Sequence, residues 1–570
     1  MSFKNTLALL IALLMLVSGT AALAESATAT STGFAGDVTV SLTMEDGTLT
    51  AVEIKGEHET PSVGGAAIEK LTEAMLAQNS VSVDAIAGAT LTSQAVLSAA
   101  AEALESIGAQ LSPISPVDDG ETAIETDVTT DVLVIGGGGA GIAATMAVRE
   151  AGKSVVLLEK LSMLGGNTAL SGGVFTRGAI EGDPEGTMTA DELYDFYMEA
   201  TQGKANPVVI RTYVDHAADT LAWAHVMGSG VKETQRYLTN PENIMAVQAV
   251  GSGAGLMNPM IEGVMASGAD VRMETAATQL LFEDGKVTGA ITETVSGQQI
   301  TFHANSVILA TGGFPASPEL LAKYSSLGAE RAINLCSPGT VGDGLVMAEA
   351  IGADVQFGPD WDNIGSNSQL SGPYMVAFPQ IYSLLVNDQG ARFVSEDAQR
   401  PEIYKTMLHQ IADGINGFYF VFDATTIGEG WESFVEQGEC FTADTLEALA
   451  EQMGVSQEVF LATVEQYNAH KGEDDPDYGK LGKYMLGVTE GPFYAVKTWP
   501  IRTSTIGGLV IDENARVLDA QGAPIPGLYA AGEVANYSFF YNIYATCGSA
   551  VGHAITFGRI AGETAIAENP

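Results

Sequence analysis

The chain has 570 residues, 46% of them apolar, and a formal net charge of −45 from 25 Lys and Arg against 70 Asp and Glu. That length accommodates about three domains with sizeable cores, and the charge excludes nucleic acid and anionic membrane surfaces as partners, because both are polyanions. Cys336, Cys440 and Cys547 are too few and too scattered for a disulfide framework or a metal site, so no metal and no attached c-type haem are expected, and all three read as buried free thiols.

In chain order, Lys4 precedes an apolar run from Leu7 to Val17 and then Ala22-Leu-Ala24, the three parts of a secretory signal peptide over residues 1–24. The run is too short to span a bilayer comfortably. The protein is therefore expected to be exported, to a periplasmic, extracellular or cell-surface location.

Residues 25–110 read as a small α+β domain. Strands at Asp37–Met44 and Leu49–Lys55, joined through Glu45-Asp46-Gly47, precede a helix at Ala66–Gln78. Then Asp84, Gly88, Ala89 and Thr90 open a second helix running through Leu104. Small residues there leave room for a phosphate at a helix start, and Thr90 offers an oxygen nucleophile. A plain N-cap by Thr90, Thr92 or Ser93 is the alternative. The pattern resembles the FMN-binding domain of bacterial electron-transfer flavoproteins, with Ala87 in place of the usual hydroxyl residue. That resemblance implies FMN held covalently at Thr90 through a phosphoester bond added by a flavin transferase. Residues 111–127, rich in proline and acid, read as a linker.

The apolar run Val132–Ile135 reads as a buried parallel strand, delivering the chain into Gly136, Gly138, Gly139, Ala140 and Gly141 at the start of an alanine-rich helix. Val155–Leu158 forms the next strand, and Glu159 at its end is placed to accept from a ribose hydroxyl. Strand, glycines, helix, strand and acid in this order make a dinucleotide site. Beyond Lys160 come Gly166-Asn167-Thr168, Gly172-Gly173, Thr311-Gly312-Gly313 and a Gly339–Gly344 loop with Asp343. Gly532-Glu533 and Gly548-Ser549-Ala550-Val551 follow near the end. So many sites of close backbone approach exceed what turns alone require.

Together they resemble the FAD-binding subunits of the fumarate reductase and succinate dehydrogenase superfamily, nearest its soluble extracytoplasmic branch. The implied fold is α/β: a Rossmann-like FAD domain in two parts, residues 128–356 and 501–570, interrupted by an α+β capping domain at 357–500. FAD would be bound non-covalently, with Glu533 at the ribityl chain. Gly390-Ala-Arg392-Phe393, Glu396 and Arg400 match the family segment whose later arginine protonates substrate, which gives Arg400 that role. An ordinary ion pair between Arg400 and Glu396, one helical turn back, is the plainer alternative.

Departures from the family limit the substrate. The carboxylate-binding histidine pair is Thr503-Ser504 here, the late carboxylate-binding arginine is Ala545, and further clamp and relay groups between Phe357 and Asn387 are missing. Each charged hydrogen bond lost costs a dicarboxylate on the order of 1.5–3 kcal/mol. In their place stands an aromatic run from Asn536 to Tyr544, in which core packing competes with substrate contact for any single ring. Tyr544 to Gly558 is similar to the end of the flavin ketosteroid dehydrogenases, which implies that Tyr544 and the Gly548 N–H polarise a ketone.

The expected function is reduction of a conjugated C=C bond in a non-dicarboxylate electron acceptor such as an apolar enone or steroid. Hydride would come from FAD and a proton from Arg400, with electrons entering through FMN from a membrane-associated or flavin-based donor. The alternatives are an enoate reductase acting on urocanate, acrylate or fumarate in anaerobic respiration, a ketosteroid-type dehydrogenase, and a non-enzymatic flavin electron carrier.

Overall fold

The computed structural model describes residues 25–32, 36–56, 59, 64–83, 86, 90–108, 111, 126–226, 243–325, 328–358, 365–366, 380–398, 400–425 and 440–569. Residues 1–24, where a signal peptide is expected, Asp84, Ala87, Gly88 and Ala89, and the side chains of Thr90 and Arg400 lie outside the described residues. Among the described residues no helix is long and apolar enough to cross a membrane. The chain divides into two compact units, residues 1–124 and 125–570.

In the first unit, β1 (Glu25–Thr32), β2 (Asp37–Glu45) and β3 (Thr48–Lys55) form an antiparallel sheet in that order. Every second residue of β2, namely Val38, Val40, Leu42 and Met44, is buried, the alternation of a sheet with one covered face. Asp46 and Gly47 both have positive φ, 48° and 78°, as a tight hairpin turn with matching twist requires. Helices α1 (Ala66–Gln78) and α2 (Thr90–Ile107) supply the rest of this core through Leu71, Met75, Val96, Ala99 and Ala103. Asn79 ends α1 in the left-handed region, and its side chain donates to Gly47 O (3.0 Å) and accepts from Leu49 N (2.6 Å), fastening helix to hairpin.

The second unit is built on β4 (Asp127–Ile135), α3 (Gly139–Glu150) and β5 (Val155–Leu158). Next come β6 (Val174–Arg177), α4 (Ala190–Ala200), α5 (Pro207–Val226), β7 (Met245–Gln248), α6 (Ser252–Ala266) and β8 (Asp270–Arg272). Strands β9 (Thr275–Glu283), β10 (Lys286–Thr294) and β11 (Gln299–Leu309) follow. The capping region carries β12 (Leu384–Asn387), α7 (Arg400–Ala412), β13 (Phe418–Asp423), β14 (Cys440–Ala443), α8 (Leu446–Met453), α9 (Gln457–Ala469) and β15 (Phe493–Thr498). The chain returns through β16 (Arg516–Leu518) and β17 (Pro524–Ala530) and ends in α10 (Ser549–Glu568).

Strands β17, β11, β4, β5 and β8 are parallel neighbours, with β16 antiparallel at one edge and the β9–β10 pair attached to the first half of β11. The crossover through α3 leads to β5 on one side of β4, whereas β11 lies on the other. The end of β4 is thus a topological switch point, where open α/β sheets bind ligands. Helix α10 lies close on α3: a Cβ on Gly558 would stand 2.3 Å from Ala140 O.

The capping sheet runs β12-β13-β15-β14, all antiparallel, with its own apolar clusters. Beneath it sits a buried charge cluster. Arg392 forks onto Glu396 through Nε (3.0 Å) and Nη2 (2.8 Å), and its Nη1 reaches Asp475 Oδ2 (2.6 Å). Lys480 Nζ, fully buried, reaches Glu396 Oε2 (3.1 Å), Ser383 O (2.8 Å) and Tyr467 Oη (2.8 Å). Each buried charge has an opposite partner, which is what makes its burial tolerable.

Candidate active site

The glycine turn after β4 is required by its own neighbours. Gly136 has φ +109°, and a Cβ on Gly141 would stand 1.8 Å from Gly136 O, so α3 rests on the turn with no side chain between them. The N-cap of α3, Gly138, contributes no side-chain bond, which leaves a helix N-terminus suited to a pyrophosphate. Glu159 is nearly buried. Its Oε2 accepts from Gly137 N (2.8 Å) and its Oε1 from Leu161 N (2.8 Å), and burial raises its pKa. Each oxygen retains a second lone pair for a ribose hydroxyl.

The structure brings the other glycine stretches to this point. Gly165 bridges to Gly138, and Gly139 N donates to Thr168 Oγ1 (3.3 Å). Lys160 Nζ pairs with Asp343 Oδ2 (2.6 Å). Asn167 accepts from Ser337 N (2.7 Å) and reaches Glu533 Oε2 (3.5 Å) through Nδ2. Glu533 Oε1 accepts from Thr505 N (2.7 Å) and Oγ1 (3.0 Å), and burial pushes its pKa up to about 7. Thr505 and Ser337 were missed in the sequence because they come from turns remote from the fingerprint. The threonine three residues before Gly508 was the available signal.

FAD fits this arrangement on observations internal to the chain. Thr311 Oγ1, beside the left-handed Gly312, is buried without a hydrogen-bond partner, an orphan that asks for a ligand atom. A Cβ on Gly313 would strike Thr505 Oγ1 and Glu533 Oε1, so the turn is cut back to bare backbone there. Gly173 is also left-handed and holds Ala249 N through its carbonyl (3.0 Å), while Gly172 O accepts from Gln248 Nε2 (2.9 Å).

At the start of α10 the structure differs from expectation. Tyr544 and the Gly548 N–H do not stand side by side as parallel donors: Gly548 N donates to Tyr544 Oη at 3.0 Å. Gly548 caps α10 at φ +98°, and a Cβ there would meet Val174 and Thr176. That conformation turns its N–H back onto the phenol. The phenol oxygen is thereby filled as acceptor and its O–H proton is left to donate. Burial raises the Tyr544 pKa, so the group is neutral at physiological pH.

Behind this turn, Tyr197 Oη meets Thr546 Oγ1 (2.8 Å) and Thr176 Oγ1 donates to Cys547 O (2.7 Å). None of these three hydroxyls was singled out from the sequence. Phe539 and Phe540 are core residues packed with His553, whereas Tyr541 and Tyr544 are partly buried. Burial depresses the His553 pKa to about 3, which keeps it neutral. Cys440 is buried, but Cys336 and Cys547 are only half-buried, contrary to the expectation of three buried thiols.

Arg400 opens α7. Its alternative partner, Glu396, is already held by Arg392 and Lys480. The cation beside Thr503-Ser504, Arg502, is bound by the carbonyls of Pro315, Ala329 and Ala332, so its guanidinium is committed to the chain itself.

The FAD binding domain signature matches residues 131–551 and the FMN-binding domain signature residues 33–105. The chain belongs to the FAD-binding domain family. The urocanate reductase of Eggerthella lenta is 30% identical to this family member, covering 95% of the chain and 92% of the relative. The vinyl phenol reductase of Lactiplantibacillus plantarum is 28% identical, covering 76% and 96%. Among solved structures, the open conformation of a flavocytochrome c3 fumarate reductase matches with a TM-score of 0.66 at 25% identity, covering 80% of this chain and 83% of that one. The 3-ketosteroid-Δ4-(5α)-dehydrogenase from Rhodococcus jostii shares the fold, with a TM-score of 0.60 at 24% identity over 78% and 98%. This family member is a flavin-dependent oxidoreductase acting on C=C bonds, with an FMN-binding domain ahead of its FAD-binding domain.

Proposed function

We propose that the protein is an exported reductase of a conjugated C=C bond in an acceptor with a carbonyl but no second carboxylate, an enone or steroid-like ketone. The observation that carries this reading is the Tyr544–Gly548 hydrogen bond. A neutral phenol, its oxygen already filled by a backbone N–H, offers one proton to a substrate carbonyl. FAD, when bound, would supply the hydride for the β carbon. Tyr544 stabilises negative charge developing on the carbonyl oxygen, with Gly548 N–H reinforcing it, and Arg400 delivers a proton to the α carbon. A preorganised donor of this kind typically lowers the barrier by about 3–4 kcal/mol.

FMN held at Thr90 would supply the electrons, taken from a membrane-associated or flavin-based donor. Supporting that attachment site, Thr92 and Ser93 are buried and already bonded. A second reading, reduction of an enoate, is favoured by the identity to the urocanate reductase along nearly the whole chain. Supplying enones, monocarboxylic enoates and fumarate with a reduced dye as donor separates them. Turnover of enones supports the first reading, and turnover confined to urocanate or fumarate rejects it.

A further inference from the structure

The turn that carries Thr90 is held from outside its own helix. Glu59 is 6% exposed, and its Oε2 accepts a 2.5 Å hydrogen bond from Thr92 Oγ1, itself 2% exposed. The backbone closes over this pair on two sides. A Cβ on Gly64 would stand 2.6 Å from Glu59 Oε2 and 3.1 Å from Thr92 Oγ1, and one on Gly56 would stand 2.9 Å from Glu59 Cγ. Ordinary capping uses a hydroxyl as acceptor for a helix N–H, but Thr92 acts here as donor. Ser93 Oγ accepts from Ile86 N (3.1 Å), tying down the loop that leads into α2. Both neighbours of the Thr90 turn are therefore anchored, one to that loop and one to a buried carboxylate.

We propose that Glu59, acting through Thr92, is the positioning residue for flavin attachment at Thr90. It fixes the rotation of the first turn of α2 that a flavin transferase must recognise. The inference rests on the reading of Thr90 as the attachment site. Positions 90 and 92 are about 200° apart around a helix, so anchoring position 92 inward determines which way position 90 is presented. The step served is a transfer at phosphorus with no redox change. The Thr90 oxygen forms a phosphoester to the FMN half of FAD, the pyrophosphate P–O bond breaks, AMP leaves, and the hydroxyl proton passes to the transferase.

The test is to express the full chain with a flavin transferase and read covalent flavin by in-gel fluorescence and intact mass. Glu59→Gln and Thr92→Val are expected to label about fivefold more slowly than the unaltered chain, with far-UV circular dichroism unchanged. Thr92→Ser keeps the hydroxyl and is expected to label at the original rate. Unslowed labelling of Glu59→Gln or Thr92→Val overturns the positioning role while leaving attachment intact, and so does slow labelling seen only where helical signal is lost. Absence of label on the unaltered chain, or label that survives Thr90→Ala, overturns the attachment reading itself.

Discussion

Tyr544 and Glu533 carry the most specific expectations at the scale of single residues. Removing the Tyr544 hydroxyl takes away the one donor that the Gly548 N–H reinforces. Tyr544→Phe is therefore expected to lower kcat on a good substrate about 10²–10³-fold while FAD absorbance per chain stays the same. A variant within threefold (roughly 0.6 kcal/mol) of the original would mean that the phenol is only packing. Glu533 has a pKa of about 7 against an ordinary 4.5. Between those values the native protein keeps a proton that the unfolded chain has released, so stability of the FAD-free protein falls as pH rises through that window. Glu533→Gln removes this slope. Thermal melts of the two FAD-free chains across the window check it, and parallel slopes would contradict the assignment.

At the scale of elements, the charge cluster under the capping sheet holds the segment leading to Arg400. Glu396→Gln removes the carboxylate that pairs with the buried Lys480 Nζ and weakens the hold on Arg392. The expected cost is about 3–5 kcal/mol, readable by denaturant titration, and a loss under about 1 kcal/mol would show that the cluster is solvated in solution. Where sequence was a good guide, one period dominated: β2 alternates cleanly, and the strand–glycine–helix unit at β4 and α3 has a steric reason for nearly every glycine. Where it was a poor guide, the information lay in a partner. Strand β1, Glu-Ser-Ala-Thr-Ala-Thr-Ser-Thr, has no large apolar residue to mark a buried face and exists by pairing with β2. Likewise the Tyr544–Gly548 spacing was legible, but the direction of its hydrogen bond was not, because it depends on the left-handed Gly548 pressed against β6. Thr505, Ser337 and Thr176 reach the site from separate turns and strands, and no local pattern announces them.

For the whole molecule, the proposed function has the FMN-binding unit receive electrons and the FAD-binding unit spend them. Thr90→Ala is expected to abolish turnover driven by the physiological donor fraction while leaving reduced-dye turnover and FAD content intact. Equal loss in both assays would mean that the variant damages the FAD unit instead. The central claim is that chemistry at the Tyr544–Gly548 turn selects a carbonyl-bearing acceptor over a dicarboxylate. The most direct measurement is kcat/KM with reduced dye for a conjugated enone against fumarate, on the same FAD-loaded preparation. The account predicts a preference for the enone of at least about 10²-fold, the worth of one or two lost charged contacts, and a preference for fumarate would contradict it.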